Sequence, residues 1–353
     1  MSELMNARMH VGVRRGLLTT VSAIALMAIV GAEKARAADA DADRPSLWIE
    51  LGGQFDQLNA GASAWVPPVT PPPFPPVTSL PFGHPLPGSV RSAPSIGWDT
   101  TARVTFQPEN SDWIFTAAAS YGRSAKKASS HDQYYPPHSS GKYHSQFFDT
   151  RTSTHESHAV IDFKAGKDVG LGMFGAHSLS SLDLGLRYAQ FNSTTHSYVT
   201  SGPPQHKYAQ INDEMHMQRQ FTGIGPSISF DSSDPVAGSL AEGLSLDWGA
   251  NAAILFGRQK AKIASSQIER RHYINLMSPL VKIISQTAFA RGRNVIVPNV
   301  GGFAGLSFRY AVAKVSFGYR ADLFFGALDG GIGVQKTYDR NFYGPFASVS
   351  VGL

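Results

Sequence analysis

Cysteine is absent from this chain of 353 residues. An exported protein that uses no disulfide must hold itself together by some other closed structure. Past the N-terminal segment no second run of about eighteen apolar residues occurs, which excludes a bundle of membrane-spanning helices. Walker-type loops, dinucleotide fingerprints and nucleic-acid modules are missing too, and Gly331-x-Gly333 does not extend into a fingerprint. No cofactor is expected, and no catalytic residues stand out.

What is present begins with an export signature. Arg8, Arg14 and Arg15 form a basic start, Gly16 to Ala32 is mostly apolar, and Ala35-Arg36-Ala37 fits a small-x-small cleavage site. Residues 1–37 are therefore read as a signal peptide and 38–46 as a periplasmic N-terminal segment. The signal carries Arg8, Arg14, Arg15, Lys34 and Arg36 against Glu3 and Glu33, leaving the rest about +2 of the formal +5. So weak a charge gives no ground for a nucleic-acid partner.

From residue 47 the dominant signal is a period of two. In Val315, Phe317, Tyr319, Ala321, Leu323 and Phe325 one side is apolar, while Ser316, Gly318, Arg320 and Asp322 lie between. Similar runs occur at 47–56, 96–106, 113–121, 158–164, 182–188, 219–230, 244–256, 296–310 and 347–353. Only Ala311 to Ala313 separate two of them, which predicts a tight hairpin. The 34 glycines and modest hydrophobicity suit a sheet that is greasy on one side and polar on the other better than one large soluble core.

The connections alternate in length. The four longest, 57–95, 123–156, 192–217 and 258–293, all fall at odd-numbered positions, and a turn is expected through Asp231 to Pro235. Outer-membrane barrels place long loops outside and short turns in the periplasm. Phe106, Trp113, Phe230 and Tyr310 fall near the short-turn ends, as an interfacial girdle would. The reading is all-β: a transmembrane antiparallel up-and-down β-barrel over residues 47–353, of about ten strands within a range of about eight to twelve, in the bacterial outer membrane. Water is absent from the bilayer, so every backbone amide must pair and the sheet must close. Seven prolines in the ten positions 67–76 predict an extended loop.

Phe221-Thr222-Gly223-Ile224-Gly225-Pro226 is followed by a small and apolar strand, Trp248 to Phe256, that ends in Leu255-Phe256-Gly257. On these residues the chain resembles the Legionella-type major outer membrane protein family and related proteobacterial barrels, over roughly 40 to 100 residues. The cysteines associated with the Legionella proteins are absent, and the chain ends in Leu353 where most such barrels end in an aromatic residue. The resemblance implies an outer-membrane, porin-like surface protein with no catalytic residues to carry over.

The inward candidates are Glu50, Asp56, Asp99, Arg103, Asp162, Lys164, Asp183, Arg187, Asp247, Arg309, Arg320 and Asp322. Both signs are interleaved. They either pair across the lumen and rigidify a plugged barrel, or line a conduit for ions or small solutes. Gly223, Gly225, Gly249, Gly301 and Gly305 are expected to free some room inside. Porin-like passive diffusion is the favoured function, with a plugged structural or adhesive surface barrel as the alternative. The partners expected are outer-membrane lipid, the barrel-assembly machinery during biogenesis, and small solutes or ions.

Five of the eleven histidines outside the signal lie between His131 and His158. The His155-x-x-His158 spacing reads as part of a wet loop rather than a zinc site. A hydrolase would need a Ser/His or acid pair at the outer rim, for which His196 with Asp213 and His155 with Glu156 are the candidates, without a surrounding motif. The chain is therefore not read as an enzyme.

Overall fold

The computed structural model describes residues 47–58, 94–109, 111–134, 146–169, 179–202, 209–238, 242–271, 280–330 and 337–353. The expected signal peptide, the segment 38–46, the proline-rich stretch and Gly331-x-Gly333 lie outside the described residues.

The described residues form ten strands: β1 Leu47–Leu58, β2 Ile96–Phe106, β3 Trp113–Tyr134, β4 Gln146–Asp168, β5 Leu179–Gly202, β6 Ala209–Gly238, β7 Gly243–Arg271, β8 Leu280–Tyr310, β9 Ala313–Asp329 and β10 Thr337–Gly352. Each is antiparallel to the next, and β10 returns to β1, with Trp48 opposite Gly352 and Leu51 opposite Val349. The sheet is thus a closed barrel, and closure pairs the backbone groups that an open edge would leave bare in lipid.

The alternation sorts side chains as expected. Leu184, Leu186, Ile224, Ile228, Ile254, Phe256, Phe308 and Phe317 point outward and are exposed. Phe106, Trp113 and Tyr310 are exposed at the short-turn ends, beside connections as tight as the one between Tyr310 and Ala313. In that turn Ala311 has φ 50°, a left-handed conformation that ordinarily favours glycine.

Strand lengths depart from the sequence reading. Residues 123–134 and 146–156 belong to β3 and β4, 192–202 and 209–217 to β5 and β6, and 258–271 and 280–293 to β7 and β8. All were expected in loops. The cause is a change of solvent along each strand. On β6 the outward positions from Phe230 to Thr222 cover a bilayer's need of about nine to eleven residues. Beyond them come Gln220, Gln218, His216 and Glu214, polar because water lies outside, while the ladder to β5 and β7 continues unbroken. At about 3.4 Å per residue, the 31 residues of β8 trace roughly 100 Å of path, far more than a bilayer requires. The barrel therefore carries a tall wall above the outer leaflet.

The expected turn at Asp231 to Pro235 is strand as well. Proline lacks a donor, and the β6–β7 register shifts between Pro235 and Ala237 before the chain turns after Gly238.

Candidate functional site

The inner face changes character with height. Near the short turns it is ionic. Arg103 lies 3.9 Å from Glu50, Lys314 Nζ of β9 lies 2.6 Å from Asp247 Oδ2 of β7, and the Arg309 guanidinium sits 4.8 Å from the centre of the Trp48 ring.

Higher up, Arg187 binds Asp162 through Nε at 2.7 Å and Nη2 at 2.9 Å. Its Nη1 donates to Asn251 at 2.7 Å and to Asn299, so one β5 side chain ties together β4, β7 and β8. Lys164 donates to Ser229 at 3.0 Å, and Ser229 donates to Asp183 at 3.3 Å. Arg320 stacks over Phe346 at 5.1 Å. A buried charge is tolerated only when paired, because removing one partner strands the other in a low dielectric. A polar cavity of about 80 Å³ remains here, bordered by Phe324 and Phe342 among others.

Next comes an apolar tier. Phe191 of β5, Phe221 of β6, Phe324 of β9 and Phe342 of β10 are almost wholly buried, together with Leu58, Leu255, Val297 and Leu328. Phe191 meets Phe221 at 5.8 Å, Phe324 at 4.8 Å and Phe342 at 5.8 Å between ring centres. In a barrel of ten strands β5 and β10 stand on opposite sides. The rings therefore meet across the lumen.

Beyond this tier the interior is polar again. Arg340 of β10 pairs with Glu156 of β4, Ser193 donates to Glu156 at 3.0 Å, and Arg219 donates to Ser193 at 3.3 Å. Arg291 pairs with Asp329, and Arg293 donates to Gln259 at 2.9 Å. Met215, Met217 and Ile263 form a second apolar group.

The inner glycines do not widen the lumen as expected. A Cβ on Gly225 would lie 1.8 Å from the Ile254 carbonyl oxygen, one on Gly301 would lie 2.1 Å from Asp322 Oδ1, and one on Gly249 would lie 2.3 Å from Asp231 Oδ1. Their space is filled by neighbouring backbone and carboxylates.

Every inward candidate named from the sequence occupies an inner-face position; Glu50 pairs with Arg103 and Asp162 with Arg187, while Asp99, Lys164, Asp183, Asp247, Arg309 and Arg320 meet other inward side chains. The aromatic tier was missed, although the parity that places Arg187 and Asp322 inside also places Phe191 and Phe324 there, two or four positions on. Of the rim pairs, His155 points outward and Glu156 inward, and His196 binds the exposed Glu214 at 2.7 Å, while the Asp213 side chain lies outside the described residues. His158 is not in a wet loop. It is a buried β4 residue whose Nε2 lies 2.9 Å from Asp99 Oδ2, and its ligating atom clusters with those of Asp56 and Asp99 within 4.8 Å.

The sequence model of the Legionella pneumophila major outer membrane protein precursor family matches residues 104–352. No curated protein matches the chain. Among solved structures, the transport unit of the autotransporter AIDA-I from Escherichia coli shares 9% identity, covering 91% of this chain and 94% of that one at a TM-score of 0.26. The translocator domain of the autotransporter NalP from Neisseria meningitidis shares 10%, covering 95% and 96% at 0.22. The Pseudomonas putida toluene transporter TodX shares 10%, covering 87% and 90% at 0.18. Scores this low carry no argument. The family match spans well over half of the sequence, and the chain belongs to the Legionella major outer membrane protein family, as a β-barrel of the bacterial outer membrane.

Proposed function

We propose that this protein is a closed surface barrel, whose working part is the strand wall above the outer leaflet and whose lumen does not pass solutes in its resting state. The observation that carries this reading is the ring layer of Phe191, Phe221, Phe324 and Phe342, packed across a narrow barrel. Ten strands lie just above the eight whose interior is filled by side chains, and far below the sixteen or more of an open channel. The wall's outer face offers His196, Tyr198, Glu214 and His216 to the medium, a polar and aromatic surface suited to adhesion.

Porin-like diffusion of ions or small solutes is the second reading. The polar cavity of about 80 Å³ and the inward charges of both signs favour it, and it requires the ring layer to part. Swelling of proteoliposomes in a small sugar separates the two. A closed barrel gives no swelling above empty liposomes, whereas rapid swelling with the wild-type chain establishes diffusion. For the wall, replacing Tyr198, His196 and Glu214 together is expected to weaken attachment of expressing cells to a host or matrix surface while surface display is unchanged. Unaltered attachment contradicts an adhesive role for this face.

A further inference from the structure

We propose that Asp56, Asp99 and His158 form a binding site for one divalent cation of the zinc or first transition-series type, enclosed in the lumen beneath the ring layer. The three residues come from β1, β2 and β4, and their potential ligand atoms lie within 4.8 Å of one another.

The site is built by register. Gln54, Asp99, Gly122 and His158 follow one another across four neighbouring strands. Gly122 has no side chain, and the imidazole lies in the space this leaves: a Cβ there would stand 2.2 Å from His158 Cε1 and 2.6 Å from Nε2. His158 thereby reaches over β3 to Asp99, with its ring packed 4.0 Å from that of Phe342.

The carboxylates are short of donors. Asp56 is 1% exposed, and among the described residues neither of its oxygens makes a well-formed hydrogen bond, the Gln54 side chain standing beside it; Asp99 Oδ1 has no partner among them either. Buried acceptors are almost always satisfied, so three that converge on one point call for a ligand. A proton on His158 would serve only Asp99 Oδ2, which it already meets. Arg187, the strong cation of the neighbouring tier, is committed to Asp162, Asn251 and Asn299. A dication would neutralise Asp56 and Asp99 together and leave His158 a neutral ligand.

Donor type and spacing select the ion. Two carboxylates and an imidazole suit zinc, manganese, iron(II) or cobalt(II), not the all-oxygen shells of calcium and magnesium or the thiolates of copper(I). Metal bonds of about 2.0–2.2 Å set neighbouring ligand atoms roughly 3.0–3.5 Å apart. The His158–Asp99 separation of 2.9 Å is already near that, and the Asp56 ligand atom lies within 4.8 Å of both. Such an ion would pin β1, β2 and β4 to one another.

The test is titration of the full chain in detergent, after chelator treatment, with Zn²⁺ by calorimetry and Co²⁺ by visible absorption. One Zn²⁺ per chain is expected, with affinity falling by about tenfold or more in Asp56→Asn and in His158→Gln. Gly122→Ala replaces no ligand, yet it should also weaken binding by displacing the imidazole. Unheated gel migration identifies which variants are folded. If none folds, the wild-type Co²⁺ spectrum decides: a d–d band at one equivalent supports the site, and its absence overturns it. Zn²⁺ held instead by the exterior pairs His131–Asp149 or His196–Glu214 would leave binding unchanged in folded Asp56→Asn and His158→Gln, which also overturns it.

Discussion

Phe191 of β5 and Phe342 of β10 sit on opposite walls of the barrel, yet their ring centres are 5.8 Å apart at an interplanar angle of 22°. The two rings thus span the width of the lumen at this level. Each such aromatic pair adds about 0.5–1.5 kcal/mol beyond the area it buries. Phe191→Ala, which removes three ring contacts at once, is expected to destabilise the fold by about 3–5 kcal/mol. Urea unfolding in detergent, followed by gel mobility, checks the value.

The Arg187–Asp162 pair makes a second prediction. Both groups are buried and joined by two hydrogen bonds. Arg187→Met leaves Asp162 uncompensated and should cost about 3–5 kcal/mol, whereas adding Asp162→Asn should recover much of that loss. Equilibrium unfolding of both variants reads the difference; equal losses would mean that the pair is not coupled.

The membrane band can be mapped from outside. Leu184→Arg places a charge amid the lipid-facing leucines of β5 and should cost about 2–4 kcal/mol, while His216→Arg, on the wall, should cost about 0–1 kcal/mol. A large penalty at residue 216 would move the bilayer boundary outward and erase the wall.

Two backbone positions respond in opposite directions. Ala311 holds φ 50° in the β8–β9 turn, so Ala311→Gly should stabilise by about 0.5–1 kcal/mol. Gly225→Ala sets a methyl against the Ile254 carbonyl and should reduce the folded fraction outright. Refolding yield and unfolding midpoint check both.

Much of this barrel could be read from the chain. The start and end of β2, the start of β3, the two-residue turn at Ala311 and the side that each inward charge faces all follow from a period of two next to lipid. Where water wets the outside, that contrast fades and the strands looked like loops. A signal remained in Thr150-Arg151-Thr152-Ser153-Thr154, whose threonines face inward on β4, but it is β-branched rather than apolar. Partners across the lumen, such as Arg340 with Glu156 or Phe191 with Phe342, depend on which strands stand opposite, and alternation along one strand does not contain that. His158 shows both sides: its inward parity was legible, but its meeting with Asp56 and Asp99 over Gly122 needed the register of four strands.

Single-channel recording in planar bilayers tests the proposed closure of the lumen most directly. The wild-type chain should insert without steady conductance steps, and Phe191→Ala/Phe324→Ala/Phe342→Ala should open discrete ones. Stable open-channel steps from the wild-type protein, unchanged in the triple variant, would contradict a lumen closed by these rings.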